Sequence, residues 1–384
     1  MKKLLALIIS LAIITGTLYA GDNQSAKYMR LLSRNTATDS IDSVYFNPAG
    51  TAFLQKGFHV QLNGQTVTLK YSHDLQNETY TMFNLVPFIP SAYVGYNGGD
   101  WAVFAGYSIP YGGGSLKWNS VKFFFGTTFL EAESEGKSST HMLSVGGSYA
   151  FSPVIALGAR VDASFASTKY EADITFLGSN AAALSGKAKL AKTGMGLGGT
   201  LGIHIQPNEE IDVSLMVKST QKIDLIEKSA NGAMGTLALI KNIAPDEADT
   251  PWVVRAGFSY AFPFELEIPI SLKYSFWKAL DADNNKNEIV AAIGFRYWPT
   301  EQLEISMGGS YANADKPKDK LDSTFLDPEL ASFTIGGGIG WEIFDNFNLD
   351  FGLLYPIYFQ ADGKTYKKLS KQIVDIGLGI GYVF

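Results

Sequence analysis

Four basic side chains occupy positions from which they could bind an anion. They are Arg160, Arg255, Lys273 and Arg296. Each interrupts a stretch in which apolar and polar residues alternate, so each is expected on the polar face of a strand. There a cationic group could pair with the carboxylate of a small molecule. The same groups could instead act as struts through ion pairs with Asp162 or Glu288, and the sequence leaves both roles open.

Two other patterns could carry chemistry. Ser139 and His141 are close enough in sequence for a lipid hydrolase to be considered, but adjacency alone is weak support, and a rim histidine is the commoner case. Gly194, Gly196 and Gly199 have the spacing of a dinucleotide-binding loop, yet they lie inside a long alternating strand. We therefore expect no enzymatic activity, and no metal or cofactor is implied.

The elements that hold these residues alternate with a period of two. From Val374 to Phe384 every second side chain is large and apolar, while Asp375 and three glycines lie among the intervening positions. A charged residue in mid-strand cannot face lipid, so one face of such strands must line a polar interior. Similar segments recur to give about fourteen strands. The predicted fold is an all-β membrane protein, an antiparallel transmembrane β-barrel of about fourteen strands with a small N-terminal plug.

The predicted connections support this architecture. Short turns containing proline, glycine or asparagine alternate with long loops, which is typical of the periplasmic and extracellular ends of an outer-membrane barrel. The long loops are expected at Tyr111–Ser139, Thr220–Thr250 and Ala312–Ala331.

Three regions follow one another along the chain. Residues 1–20 have two lysines, a short apolar run and a small residue at Ala20, the pattern of a secretory signal peptide. Residues 21–56 lack alternation and form the expected plug, and residues 57–384 form the barrel. The net charge of −6 argues against a nucleic-acid partner, and the absence of cysteine excludes disulfides and thiolate metal sites.

A motif in the plug region resembles a known family. An aspartate-rich stretch leads into Phe46, Asn47, Pro48, Ala49 and Gly50. Its place after a signal peptide and before the first strand, in a chain that ends on a strand with a terminal Phe, resembles the FadL family of outer-membrane transporters. Family-like positions in the second and third strands are Pro90, Tyr93, Trp101, Tyr111 and Gly112.

The resemblance implies a function and a location. Members of that family carry long-chain fatty acids, or in some branches aromatic hydrocarbons, across the bacterial outer membrane, usually as monomers embedded in outer-membrane lipid. The ligand is captured at an extracellular groove, passes to an apolar pocket above the plug and leaves sideways at a kink in the third strand. The alternative functions are a diffusion porin for small solutes and an outer-membrane lipid hydrolase.

Candidate residues exist for the kink and the groove. Ser108, Ile109 and Pro110 are the expected kink, because proline lacks the donor that a strand ladder needs, although Pro110 could simply end the strand. Apolar loop residues could form the capture groove or could only pack the loops together. They are Phe176, Leu177, Leu184, Leu225, Ile226, Met234, Leu237, Leu239 and Ile240.

Overall fold

The computed structural model describes residues 21–125, 128–177, 185–313 and 316–384, and the expected signal peptide lies outside them. In these residues fifteen strands form one antiparallel sheet. The strands are β1 Gly57–Leu75, β2 Glu78–Asn97, β3 Trp101–Phe125, β4 Thr128–Ala150, β5 Ile155–Leu177, β6 Gly186–Asn208, β7 Ile211–Lys218, β8 Ile226–Gly232, β9 Val253–Phe262, β10 Leu266–Ser275, β11 Glu288–Thr300, β12 Leu303–Ala312, β13 Ser332–Phe344, β14 Phe347–Tyr358 and β15 Lys367–Val383.

Fourteen of these strands close into a barrel, as predicted. β1 pairs with β15 from His59↔Val383 upward, so the last strand seals against the first. β8 is an additional strand that pairs with the outer part of β6. The large side chains of β15 that alternation places on one face, Ile376, Leu378 and Ile380, are exposed on the outer surface. Bare apolar side chains in such a continuous row are stable only against lipid.

The helices are few and short. They are α1 Ala26–Leu31, α2 Ser43–Phe46 and α3 Met234–Ile243, with 3-10 helices at Pro48–Phe53, Trp277–Ala279 and Lys318–Thr324. Within the described part of the chain, none of the helices has the length and apolar character needed to cross a membrane.

The prediction of a long loop at Tyr111–Ser139 is wrong. Those residues extend β3 and β4 into a hairpin that is paired as far as Phe125↔Thr128. The outward side chains of this extension include the ion pair Lys117–Glu133, with 3.2 Å between Nζ and Oε1. Because charged residues occupy that face, this part of the sequence lacks the apolar alternation from which the other strands are predicted.

The loop between β7 and β9 contains β8 and α3 and helps to close one end of the barrel. The larger apolar cluster of the molecule lies at this end, where loops and strand tips meet. At its centre the rings of Phe325 and Tyr366 stack with centroids 3.9 Å apart, and Trp118 is buried beside them. The cluster forms an apolar cap over the barrel interior.

Residues 21–56 fold inside the barrel and fill its lower part. Glycines on the inner face of the wall let α1 approach the strands closely. A Cβ atom added to Gly377 would lie 2.3 Å from the Met29 sulfur, and one added to Gly352 would lie 2.6 Å from the Ala26 carbonyl oxygen. The plug therefore fits a surface that only glycine provides.

Ion pairs fasten the plug to the wall. Arg30 is fully buried and binds Glu304 of β12 and, at 2.9 Å, Asp350 of β14. Nearer the start of the chain, Asp22 pairs with Arg255 and Lys273. Burial alone would raise the pKa of the Asp22 carboxyl, but these two positive charges outweigh it and hold the pKa below its usual range.

Replacing Arg30 tests how strongly the plug is held. Arg30→Met leaves the buried carboxylates of Glu304 and Asp350 without their shared cation, so we expect the free energy of unfolding to fall by about 3–5 kcal/mol. Urea unfolding in lipid vesicles measures it. The control is Lys117→Met, which removes the exposed pair with Glu133 and should change stability little. Equal effects in the two variants would contradict this view of the plug.

The pH dependence of stability follows from the lowered pKa of Asp22. A carboxyl with a lowered folded-state pKa contributes stability above its unfolded pKa of about 3.9 and loses it as pH falls through the folded value. The stability difference between the wild type and Asp22→Asn should therefore be constant above about pH 5 and shrink below about pH 4. Urea unfolding from pH 7 to pH 3 measures this, with the exposed Asp283→Asn as control. A difference that already narrows near pH 6 would refute the assignment.

Candidate functional site

The barrel wall has a gap between β2 and β3. Their ladder runs from Asn97↔Ala102 to Ala92↔Tyr107 and, among the described residues, goes no further. Beyond that point β2 pairs with β1 alone and β3 pairs with β4 alone. The two neighbouring strands therefore separate here, while β2 remains hydrogen-bonded to β1 and β3 remains hydrogen-bonded to β4.

The expected kink residues Ser108, Ile109 and Pro110 lie where β3 leaves β2. The register of β3 against β4 shifts just after Ser108. Gly112 and Gly113 follow with φ angles of 74° and 104°, a left-handed region that favours glycine. Pro110 brings no N–H group that would need a ladder partner there. Pro110 does not end the strand, because β3 continues to Phe125.

The plug supplies hydrogen bonds at the point where β3 separates from β2. The backbone N–H of Ile109 donates to Oε1 of Gln24 at 3.0 Å, and Nε2 of Gln24 donates to the Ile109 carbonyl oxygen, also at 3.0 Å. From the other side of the gap, Ser91 of β2 donates its hydroxyl to the Gln24 carbonyl oxygen at 2.5 Å. One plug residue therefore bridges the two separated strands.

A cavity of about 110 Å³ lies inside the barrel above the plug, and we call it the central cavity. The plug contributes part of its lining through Asp22, Asn23, Tyr28 and Leu32. The walls are mostly apolar and include Val67, Leu69, Val86, Ile89, Val290, Leu354, Pro356 and Ile373. Lys273, Asp375 and Tyr358 add polar groups.

A second cavity of about 480 Å³ lies in the gap between β2 and β3, and we call it the lateral cleft. Val86 and Gly114 line both the cleft and the central cavity, so the two spaces adjoin. One wall of the cleft is apolar and consists of Leu85, Val86, Pro87, Phe88 and Pro90. The facing wall is polar and includes Tyr107, Ser115, Lys137, Ser138, Ser139, His141, Ser167 and Lys169.

The four basic residues singled out in the sequence all pair with carboxylates of the protein. The pairs are Arg160–Asp162 at 2.7 Å, Arg255–Asp22, Lys273–Asp22 at 3.5 Å, Lys273–Glu288 at 3.2 Å, Arg296–Asp39 at 2.7 Å, Arg296–Glu267 at 2.9 Å and Arg296–Glu304 at 3.0 Å. A buried cation that already has its counter-ion gains little from a second one, unless a carboxylate is displaced. Of the four, Lys273 lines the central cavity.

Sequence reasoning missed three residues of this site. Gln24 lies in the plug region, where the sequence shows no alternating pattern. Its role at the gap is therefore visible only in the three-dimensional structure. Lys218 is buried and lines a small polar cavity of about 30 Å³ beside Arg255. Asp375 was visible as the single carboxylate in the last alternating strand, and its position in the central cavity could have been inferred from that alternation.

The residues proposed for a capture groove are dispersed. Leu237, Leu239 and Ile240 pack into the apolar cap, whereas Leu225 belongs to a separate small cluster. The side chains of Ile226 and Met234 are exposed. Leu184 lies outside the described residues, and for Phe176 and Leu177 only the backbone, at the end of β5, is described. None of the described members lines the central cavity or the lateral cleft.

The plug motif docks onto the wall at β5 and β6. Its residues, all buried, are Phe46, Asn47, Pro48, Ala49 and Gly50. The Asn47 side chain caps the 3-10 helix by accepting from the Ala49 N–H at 3.1 Å, and it donates to the Ile203 carbonyl oxygen at 3.0 Å. A Cβ added to Gly202 would come within 2.0 Å of Asn47 Oδ1, so this glycine makes room for the cap.

Ser139 and His141 do lie within hydrogen-bond distance, at 3.2 Å between Oγ and Nε2. The other ring nitrogen of His141 is 2.7 Å from the Tyr107 hydroxyl. A serine nucleophile needs a histidine that accepts its proton while a carboxylate orients the ring. Among the described residues the partner is a phenol instead, and all three side chains line the polar wall of the lateral cleft.

Comparison with known proteins gives matches among solved structures alone. No protein-family model and no curated protein matches the chain. A Pseudomonas aeruginosa FadL homologue superposes with a TM-score of 0.69 at 14% identity, covering 94% of this chain and 98% of that one. The Pseudomonas putida toluene transporter TodX gives 0.64 at 15% identity, covering 90% and 94%.

A third solved structure agrees with these two. The Ralstonia pickettii toluene transporter TbuX gives a TM-score of 0.63 at 14% identity, covering 90% of this chain and 94% of that one. At sequence identities this low, the comparison shows the fold alone. The architecture shared over nearly the whole length is a closed fourteen-stranded antiparallel barrel. The chain therefore has the FadL-type fold, in which its own N-terminal segment plugs the barrel.

Proposed function

We propose that this protein carries hydrophobic small molecules across the bacterial outer membrane by passive diffusion and releases them sideways into the lipid. The observation that carries the proposal is the junction of the central cavity with the lateral cleft at Val86 and Gly114. A molecule in the cavity reaches the membrane through this gap without crossing the plug. An apolar solute gains free energy by staying out of water along such a path.

The apolar cap supports the same route from the outside. A solute arriving from the medium meets the cluster around Trp118, Phe325 and Tyr366 before it reaches the central cavity. Polar solutes have little to bind there, whereas an apolar solute can partition into the cluster. In the proposed transport route, the loops around α3 capture the ligand, and contact with the ligand opens the cap. The protein acts as a monomer.

The ion pairs inside the barrel favour an uncharged cargo over an ionised fatty acid. Lys273, the basic residue of the central cavity, already pairs with Asp22 and Glu288. An anionic head group would have to displace one of these carboxylates and leave it buried without a partner. Two of the similar solved structures are named as toluene transporters, which agrees with an uncharged hydrophobic cargo. Long-chain fatty acids remain the second candidate class.

Blocking the gap should stop uptake. Gly114→Trp places an indole at the junction of cavity and cleft, and we expect uptake of radiolabelled toluene by bacterial cells that express the protein to fall about tenfold or more. The matched control is Gly337→Trp on the lipid-facing side of β13, where an added Cβ makes an ordinary contact of 3.7 Å with the Ser306 oxygen. Uptake that is unchanged in Gly114→Trp, in a correctly folded barrel, would rule out the lateral route.

Ion conductance separates this function from that of a diffusion porin. Since the plug and the cap fill the barrel, the wild-type protein should show no steady conductance in planar lipid bilayers. A variant lacking residues 22–50 should conduct, because a fourteen-stranded wall without its plug encloses water. Steady conductance of the wild type would instead favour the porin.

A further inference from the structure

Asp375 is a buried carboxyl group in the wall of the central cavity. It lies on β15 opposite Val67 of β1 and Leu354 of β14, two apolar neighbours. Its exposed fraction is 3%, and it lines the cavity. A carboxyl in such surroundings is costly to bury, so its presence calls for a partner.

Among the described residues, the protein supplies a hydrogen-bond donor to one of the two Asp375 side-chain oxygens. Asn23 of the plug donates its side-chain N–H to Oδ2 of Asp375 at 2.8 Å. The other oxygen, Oδ1, is buried and has no hydrogen-bond donor among the described residues. A buried acceptor left without a donor costs free energy that an incoming donor would recover.

Other carboxylates inside the barrel form ion pairs with basic residues. Asp162 pairs with Arg160, and Asp350 pairs with Arg30. In the described part of the chain no lysine or arginine pairs with Asp375. Asp375 therefore lines an otherwise largely apolar space and has one oxygen, Oδ1, without a hydrogen-bond donor among the described residues.

We propose that the central cavity binds a small, mainly apolar molecule that carries a hydroxyl group, and that this hydroxyl donates a hydrogen bond to Oδ1 of Asp375. The inference rests on the proposed function and names the chemical class of the cargo. A pure hydrocarbon would leave Oδ1 without a donor. A carboxylate ligand would place its negative charge next to the carboxyl group of Asp375, which has no basic partner among the described residues.

The size of the cavity indicates a molecule of about one ring. Its volume of about 110 Å³ is of the same order as the roughly 150 Å³ apolar cavity that admits benzene. A phenol or a short alcohol fits this space, whereas a long acyl chain exceeds it.

The lateral cleft is suited to the same class of molecule. The apolar wall at Pro87 and Phe88 faces a polar wall with the Tyr107 and Ser139 hydroxyls, so a cargo with one polar group finds a partner on its way out. Lys169 on that wall is exposed and disfavours a cationic cargo. A cationic group is thus disfavoured on the way out through the cleft.

The test compares two probes of nearly equal shape, p-cresol and toluene, by equilibrium dialysis of the full-length barrel in detergent against empty micelles. We expect wild-type protein to bind p-cresol about tenfold more tightly than toluene, because one hydrogen bond to a buried acceptor is gained. Asp375→Leu should abolish that preference. Asp375→Asn, which keeps the shape but turns an amide NH2 toward the cavity, should lower the preference as well. The exposed Asp283→Leu is the control and should retain it.

The outcomes separate the inference from the function on which it rests. Toluene binding with a p-cresol preference that survives in both Asp375 variants would overturn the hydroxyl site and leave the transport proposal intact. Failure of wild-type protein to bind either probe would overturn both. Tighter binding of 4-methylbenzylamine than of p-cresol would replace the hydroxyl assignment with an amine.

Discussion

A strand inside a membrane cannot leave its neighbour unless its backbone groups find other partners, because lipid offers none. The two hydrogen bonds between the Gln24 side chain and the Ile109 backbone meet this requirement for β3 at the point of separation. The gap, the lateral cleft and its junction with the central cavity all exist because β3 can part from β2 at this point. The plug is therefore a component of the opening as well as a stopper of the barrel.

The polar groups inside the barrel are concentrated around the plug. A fourteen-stranded wall encloses more space than its own side chains can fill, and here the plug occupies the lower part of that space. The plug is held through buried ion pairs, of which Arg30 with Glu304 and Asp350 is the most enclosed. Such pairs are costly to break but add little affinity for a charged ligand. The basic residues that looked suited to an anion thus serve the architecture.

Much of the fold followed from local patterns in the sequence. The period-two alternation of β15 and the short turns predicted the barrel, since both depend on residues adjacent in the chain. The hairpin extension of β3 and β4 was not predicted, because charged residues such as Lys117 and Glu133 stand where the other strands have outward apolar side chains. The ion-pair partners of Arg296 and the role of Gln24 could not be predicted, because they join residues far apart in sequence.

The contacts of the plug also constrain the order of assembly. Arg30 lies near the start of the chain, but its partners Glu304 and Asp350 are 274 and 320 residues away. Loops of that length close slowly, and β1 finds its second neighbour only when β15 is present. The Arg30 ion pairs can therefore form only after β12 and β14 have joined the sheet, although Arg30 itself precedes every strand. The complete set of contacts between the plug and the wall therefore depends on both ends of the chain.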